Sequence, residues 1–360
     1  MRDLKQKASP AHLGGIAGLL MASILSVAVS GYGQGGFNTP GNILITDQFN
    51  NRVIEIDPAG TIVWQFGNGP ADTSAHAIVG TNDAERVGDL TLMSGTGIPP
   101  GATTFCKKSG CPDNRVLLVD RRGRIVWQYG EFGVTGSGPN QLNTPVQNTY
   151  LPGTGNVLIT DQGNQRIIEV RRIDNAIVWQ YGETGVIGNG PNQLSNPNSA
   201  ELLANGHILI ADENNSRAIE VTHTASSTIV ATFTNHGGVS GCAFASRLPN
   251  GDTLLTDSNN SRIVEVNASD DTVWEYFTNT RPGSNASPLP TRAVRLATGN
   301  TLISDQFNHQ VIEVNPAGEI VASYGTINDR GFSPTTAISK MNAPYSAYVI
   351  GDYTGITPPF

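Results

Sequence analysis

The chain is 360 residues long with 41 Gly, 21 Pro and 38% hydrophobic residues, enough apolar content for a large core but too many turn formers for a helical protein. Only 14% of residues are charged and the net charge is −8, with no basic cluster to offset it, which argues against nucleic acid or an anionic membrane as partner. Residues 1–30 carry Arg2, Lys5 and Lys7 against Asp3, so the remainder stands at −10.

The N-terminus opens with basic MRDLKQK, continues with the apolar run HLGGIAGLLMASILSVAV and closes on small residues. Ala28-Val29-Ser30 fits the small-x-small rule for signal cleavage, so the pattern predicts a signal peptide over 1–30 and a secreted or periplasmic chain starting near Gly31. A retained membrane anchor is the competing reading. No later apolar run approaches the ~20 residues of a spanning helix, so residues 31–360 are expected to form one soluble domain that touches no membrane after cleavage.

From Gly41 onward three phrases recur. The first ends in Asp: NILITD (42–47), NVLITD (156–161), HILIAD (207–212), DTLLTD (252–257) and NTLISD (300–305), with DLTLMS (89–94) as a degenerate sixth copy. The second reads NRVIEID (51–57), NRVLLVD (114–120), QRIIEVR (165–171), SRAIEVT (216–222), SRIVEVN (261–267) and HQVIEVN (309–315). The third is aromatic: TIVWQFG (61–67), RIVWQYG (124–130), AIVWQYG (176–182), TIVATFT (228–234), DTVWEYF (271–277) and EIVASYG (319–325). Asp161, Asp212, Asp257 and Asp305 step by 51, 45 and 48 residues, while Asp47 to Asp161 is 114, so the second unit is interrupted, with its excess in 95–113.

Each phrase is a short β-branched and aromatic run bounded by Gly, Asn, Asp or Pro, which is a strand signature. Ile62, Trp64 and Phe66 share one face of such a strand. A fourth strand precedes the Asp phrase at AERV (84–87), TYLP (149–152), AELL (200–203), ASRL (245–248) and AVRL (293–296). Four strands in each of six units predict an all-β, six-bladed β-propeller of four-stranded antiparallel blades. The first unit lacks its leading strand, and Ser346-Ala347-Tyr348-Val349-Ile350 resembles the missing piece, so the C-terminal strand is expected to close the ring inside blade one.

These units resemble NHL repeats, and GSGPNQLNTP (136–145) and GNGPNQLSNP (188–197) look like that repeat's Gly-rich turn and Pro. RLPNGDTLLTDSNNSRIVEV (247–266) is also similar to the propeller repeats of arylsulfotransferase-like secreted proteins. The resemblance spans residues 35–352 and implies architecture rather than activity, since such propellers include lyases, lactonases, sulfotransferases and binding modules.

Asp47/Arg52, Asp161/Arg166, Asp212/Arg217 and Asp257/Arg262 recur as sets, as do Glu55, Glu169, Glu220, Glu265 and Glu313 and the four tryptophans Trp64, Trp127, Trp179 and Trp274. A blade needs its turn and its packing every time whereas a catalytic group is needed once, so repetition assigns these residues to the scaffold. Function is expected where the pattern breaks. The links between blades carry His76, His236, Arg281, Arg330 and Lys340, on the face that also carries the Asp-to-Arg turns.

Arg86, Arg247 and Arg295 match one another on the innermost strands, with Glu85, Glu201, Tyr150 and Tyr348 one step earlier. Together they could hold an anionic ligand, or each Arg could pair with an acid of the neighbouring blade. Cys106 and Cys111 are spaced for a disulfide, and Cys242 is left as a buried thiol.

None of the histidines beyond residue 30 stands in HxH or HExxH spacing, and GxSxG and P-loop motifs are absent, so no metal or cofactor is expected. The sequence is read as a monomeric binding or scaffold module for a protein, glycan or small-molecule ligand. The alternative is an arylsulfotransferase-like or lyase-like enzyme. There His76 or His236 would act as base or nucleophile, and in the sulfotransferase-like case a histidine takes the sulfuryl group.

Overall fold

The computed structural model describes residues 36–334 and 337–358; the signal peptide expected over 1–30 lies outside them. These residues form six four-stranded antiparallel sheets set around an axis as a β-propeller. The innermost strands are Pro344–Val349, Thr81–Val87, Pro145–Leu151, Pro197–Leu202, Cys242–Arg247 and Arg292–Arg295, for blades one to six. Blade one is completed from the C-terminus as the sequence predicts, with Leu44 opposite Tyr348 and Ile43 opposite Val349. No helix among the described residues is long and apolar enough to cross a membrane.

The second and third strands of a blade are apolar on both faces because both faces are covered by neighbouring blades. Ile43–Asp47 and Arg52–Ile56 are buried throughout. The core is accordingly a set of interblade seams, such as Trp64, Phe66, Met93, Leu117 and Tyr348 between blades one and two. Each tryptophan seals a seam by donating its indole N–H to the outer turn of the next blade, Trp64 to Arg121 O at 3.0 Å, Trp179 to Thr224 O at 3.0 Å and Trp274 to Pro316 O at 3.1 Å. Tyr324 closes the circle by donating to Pro58 O.

The repeated Asp phrase has a local cause. After Asp47 the chain makes one 3-10 turn, Gln48–Asn50, and Asn51 then takes a left-handed conformation with φ 51°. Gln165, Ser216 and His309 do the same at φ 60°, 53° and 58°. The aromatic phrase ends in Gly because a Cβ at Gly67, at φ 96°, would collide with the carbonyl oxygen of Asn51.

The side chain of this left-handed residue then accepts a backbone N–H of the link that enters the next blade. Gly80 N–H donates to Asn51 Oδ1 at 3.0 Å, Asn196 N–H to Gln165 Oε1 at 2.6 Å and Ala343 N–H to His309 Nδ1 at 3.1 Å. The Asp fastens the link before its own blade. Asp47 Oδ1 accepts Asn342 N–H at 2.7 Å while its Oδ2 accepts Arg52 Nε at 2.8 Å, and Asp161, Asp212 and Asp257 repeat the arrangement.

The two units that lack the motif rebuild it from elsewhere. In blade two Gly95 stands opposite Arg115, where the Asp would be, and the Asp113 carboxylate folds into the space a Gly95 side chain would fill. It accepts Arg115 Nε at 2.5 Å and Val79 N–H at 2.7 Å. In blade six Gln310 replaces the arginine, and Arg281 from the preceding link supplies the guanidinium to Asp305 and donates to Gln310 Oε1 at 2.9 Å. The loop residue Arg281, read in the sequence as a possible pocket former, is therefore a substitute clasp.

Candidate functional site

Strand direction places the Asp-to-Arg turns and the interblade links on one face, called upper here, and the far ends of the innermost strands on the lower face. The axial channel between them is filled by side chains from all six blades, polar ones from five of them and Ala243 and Phe244 from blade five, leaving a cavity of about 10 Å³, room for no more than one water. Arg292 reaches across the axis to Asp83 of blade two, lies 3.6 Å from Glu201 of blade four and covers the Phe244 ring at 4.4 Å. Tyr345 of blade one shares a hydrogen bond with Asn198 of blade four, and Gln306, Gln48 and Asn82 form a chain linking blades six, one and two.

Asp83, Glu85 and Glu201 thus face a single guanidinium at the axis. Burial raises Glu85 well above the ordinary carboxylate range, and the charges of Asp83 and Glu201 push it the same way. Burial also raises Glu201, against the pull of Arg292. Arg292 was not singled out in the sequence. The only signal for it was a second arginine three residues before Arg295, at a position where blade five carries Phe244.

The three arginines chosen from the sequence are all committed to the acid series. Arg86 pairs with Glu55 at 2.6 Å, Arg247 with Glu220 at 3.0 Å and Arg295 with Glu265 at 2.7 Å, each across a seam to the third strand of the preceding blade. Arg86 is also held between the rings of Phe37 and Trp64, at 4.2 and 4.7 Å. Tyr150 is displaced by one residue from its expected register: it lies opposite Val157, the place that Arg86 takes opposite Thr91, because the turn that follows, between paired Leu151 and Asn156, is one residue longer than the turn of blade four between Leu203 and His207. Tyr348 and Glu201 are buried, the first against Arg86 N–H and the second against Gln147, Arg292 and Thr357.

His76 and His236 do not join these arginines. Both belong to upper-face links, of blades one to two and four to five, whereas Arg86, Arg247 and Arg295 sit at the lower ends of their strands. His76 is exposed, and His236 pairs with Asp271 at 2.8 Å on the open surface, which raises its pKa. No group of three or more metal-ligating side chains occurs among the described residues.

The interrupted turn of blade two makes the most distinctive relief. Cys106 and Cys111 form a disulfide, Ile98 and Cys111 exchange backbone hydrogen bonds at 2.9 Å, and Cys106 is buried with Val79 and Ile98. The braced loop rises between two upper-face clefts. One, of about 450 Å³, lies between the loop residues Gly101–Phe105 and Phe49, Pro70, Arg330 and Phe332. The other, of about 420 Å³, lies between Gly97–Pro100 and Gln48, Asn114 and Asn143. Phe105 is 53% exposed at the rim of the first.

No protein-family model matches the chain. Over 131 residues, 35% of this chain, it is 30% identical to NHL repeat-containing protein 3 of Mus musculus. Over 114 residues, 30% of this chain, it is 31% identical to NHL repeat-containing protein 3 of Homo sapiens. Those alignments take in 36% and 31% of the two proteins, so the chain spans about a third of the length of the curated relatives it matches. The crystal structure of a protein of unknown function from Bacteroides caccae superposes with a TM-score of 0.55 at 17% identity, covering 84% of this chain and 99% of that one, a likeness of fold alone. The similarity to NHL repeat-containing proteins and the likeness of fold therefore agree.

Proposed function

We propose that this NHL-like propeller is an exported, monomeric binding module that engages a protein, glycan or small-molecule ligand through its upper face. The observation that carries the proposal is the insertion at 96–113: it is the one long break in an otherwise regular repeat, it is braced by a disulfide, and it walls two clefts of about 450 and 420 Å³. Clefts of that size on a rigid scaffold are what small ligands and peptide segments occupy. Export is supported by the basic-then-apolar start of the chain and by a disulfide, which persists in oxidising compartments.

The enzyme reading, with His76 or His236 beside arginines, has no comparable support, because His236 is paired with Asp271 and Arg86, Arg247 and Arg295 are each paired with a glutamate of the preceding blade. A thermal-shift screen of glycans and peptides tests the proposal. A ligand that raises the melting temperature of the wild type should bind at least tenfold more weakly to Phe105→Glu and to Cys106→Ser/Cys111→Ser. Binding unchanged in both variants refutes the upper-face assignment.

A further inference from the structure

The chain does not leave the propeller where its last strand ends. From Val349 it turns across the lower face, touching one blade after another. Asp352 Oδ2 accepts Ala297 N–H of blade six at 2.8 Å, Tyr353 packs on Tyr348 with ring centroids 6.1 Å apart, and Gly355 lies against Leu248 of blade five. At blade four, diametrically opposite its origin, Thr357 N–H donates to Glu201 Oε2 at 3.0 Å and Thr357 Oγ1 donates to Leu202 O at 2.8 Å.

Two features distinguish this tail from an ordinary terminus. It adds no strand to any of the six sheets, so its attachment is a matter of side chains and a few point hydrogen bonds. Its partners also form a reading site. A buried carboxylate and a backbone carbonyl together engage the N–H and the hydroxyl of one residue, a pair of donors at this spacing that only Thr or Ser provides. Alongside lies a cleft of about 570 Å³ walled by Leu202, Leu203, Leu248 and Pro249, with Ile356 and Pro358 of the tail as its other side.

We propose that the lower mouth of the propeller is a peptide-binding site which the chain's own tail occupies in cis, and that a short peptide of the form aliphatic-Thr/Ser-Pro competes for it in trans. The tail is tethered, so its effective concentration at the site is about millimolar, and a free peptide must overcome that advantage. Release of the tail therefore turns a self-occupied surface into an open one, on the face opposite the insertion loop.

The test uses the full chain and a fluorescent peptide of residues 351–358. Ile356→Asp in the protein weakens the cis occupant. It should bind the peptide at least tenfold more tightly than the wild type, while a peptide with Val in place of Thr357 should lose tenfold or more. In the wild type, millimolar peptide should accelerate hydrogen exchange at the Thr357 amide, a readout that does not depend on any variant folding. The proposal is overturned if a cooperatively melting Ile356→Asp protein binds no peptide at millimolar concentration, binds no better than the wild type or ignores the Thr-to-Val change, or if exchange at Thr357 is unmoved by the peptide.

Discussion

Replacing Arg281 by Ala tests the idea that blade six borrows its guanidinium from the preceding link. Asp305 is fully buried and lacks the link N–H that the other Asp residues accept, leaving its Oδ1 without a partner. Burial, only partly offset by Arg281, lifts its pKa to about 6. In the variant the carboxyl can escape as the neutral acid, so the ionic part of the loss is capped at about 1.4 kcal/mol for each pH unit above that pKa. The lost charge-assisted hydrogen bonds add about 1.5 kcal/mol at any pH.

The expected deficit is thus about 1.5 kcal/mol at pH 5, about 3 at pH 7 and about 4 at pH 8. The sign follows from linkage: a raised pKa favours the folded state below the unfolded value of 3.8, and this advantage is lost as pH rises through the folded pKa, which the variant moves higher still. Urea midpoints at the three pH values measure it. Adding Gln310→Arg restores the arrangement of Arg52 and Arg262, and should recover most of the loss at pH 7. A deficit that does not change with pH, or a folded double variant with no recovery, refutes the reasoning.

Three further outcomes are expected. Deleting residues 341–360 strips the innermost strand of blade one together with buried Met341, Tyr348 and Ile350, a loss of at least about 5 kcal/mol that should abolish cooperative melting. His309 is pushed down to about 4, first by burial and then by Arg330, and its Nδ1 must stay unprotonated to accept Ala343 N–H. A depressed pKa supplies stability above the unfolded value near 6.5 that is lost as pH falls toward 4, so His309→Asn, the residue found at Asn51, should remove on the order of 2 kcal/mol of acid sensitivity between pH 7.5 and 4.5, as read by denaturation midpoints. Cys106→Ser/Cys111→Ser should cost about 2 kcal/mol from the short loop it reopens, with exchange protection lost at the Ile98 and Cys111 amides but retained in the blades.

The amino-acid sequence alone determined the number of blades, the strands in each and the closure by the segment around Tyr348. These follow from short-range signals, the two-residue alternation and the left-handed residue before each third strand, written once per blade, and the crowding at Gly67 that recurs in four of the six, and so are legible by repetition. The scaffold role of the Asp, Glu and Trp series was legible for the same reason. Only the tertiary structure decided that Asp113 and Arg281 complete clasps whose local motif is missing, that Tyr150 sits one residue off register and that Arg292 closes the axis. It alone also showed that Thr357 meets Glu201. A hydrogen bond asks only that donor and acceptor meet, and chain segments far apart in sequence meet at a seam or on an axis through the packing of whole blades, which no local pattern records.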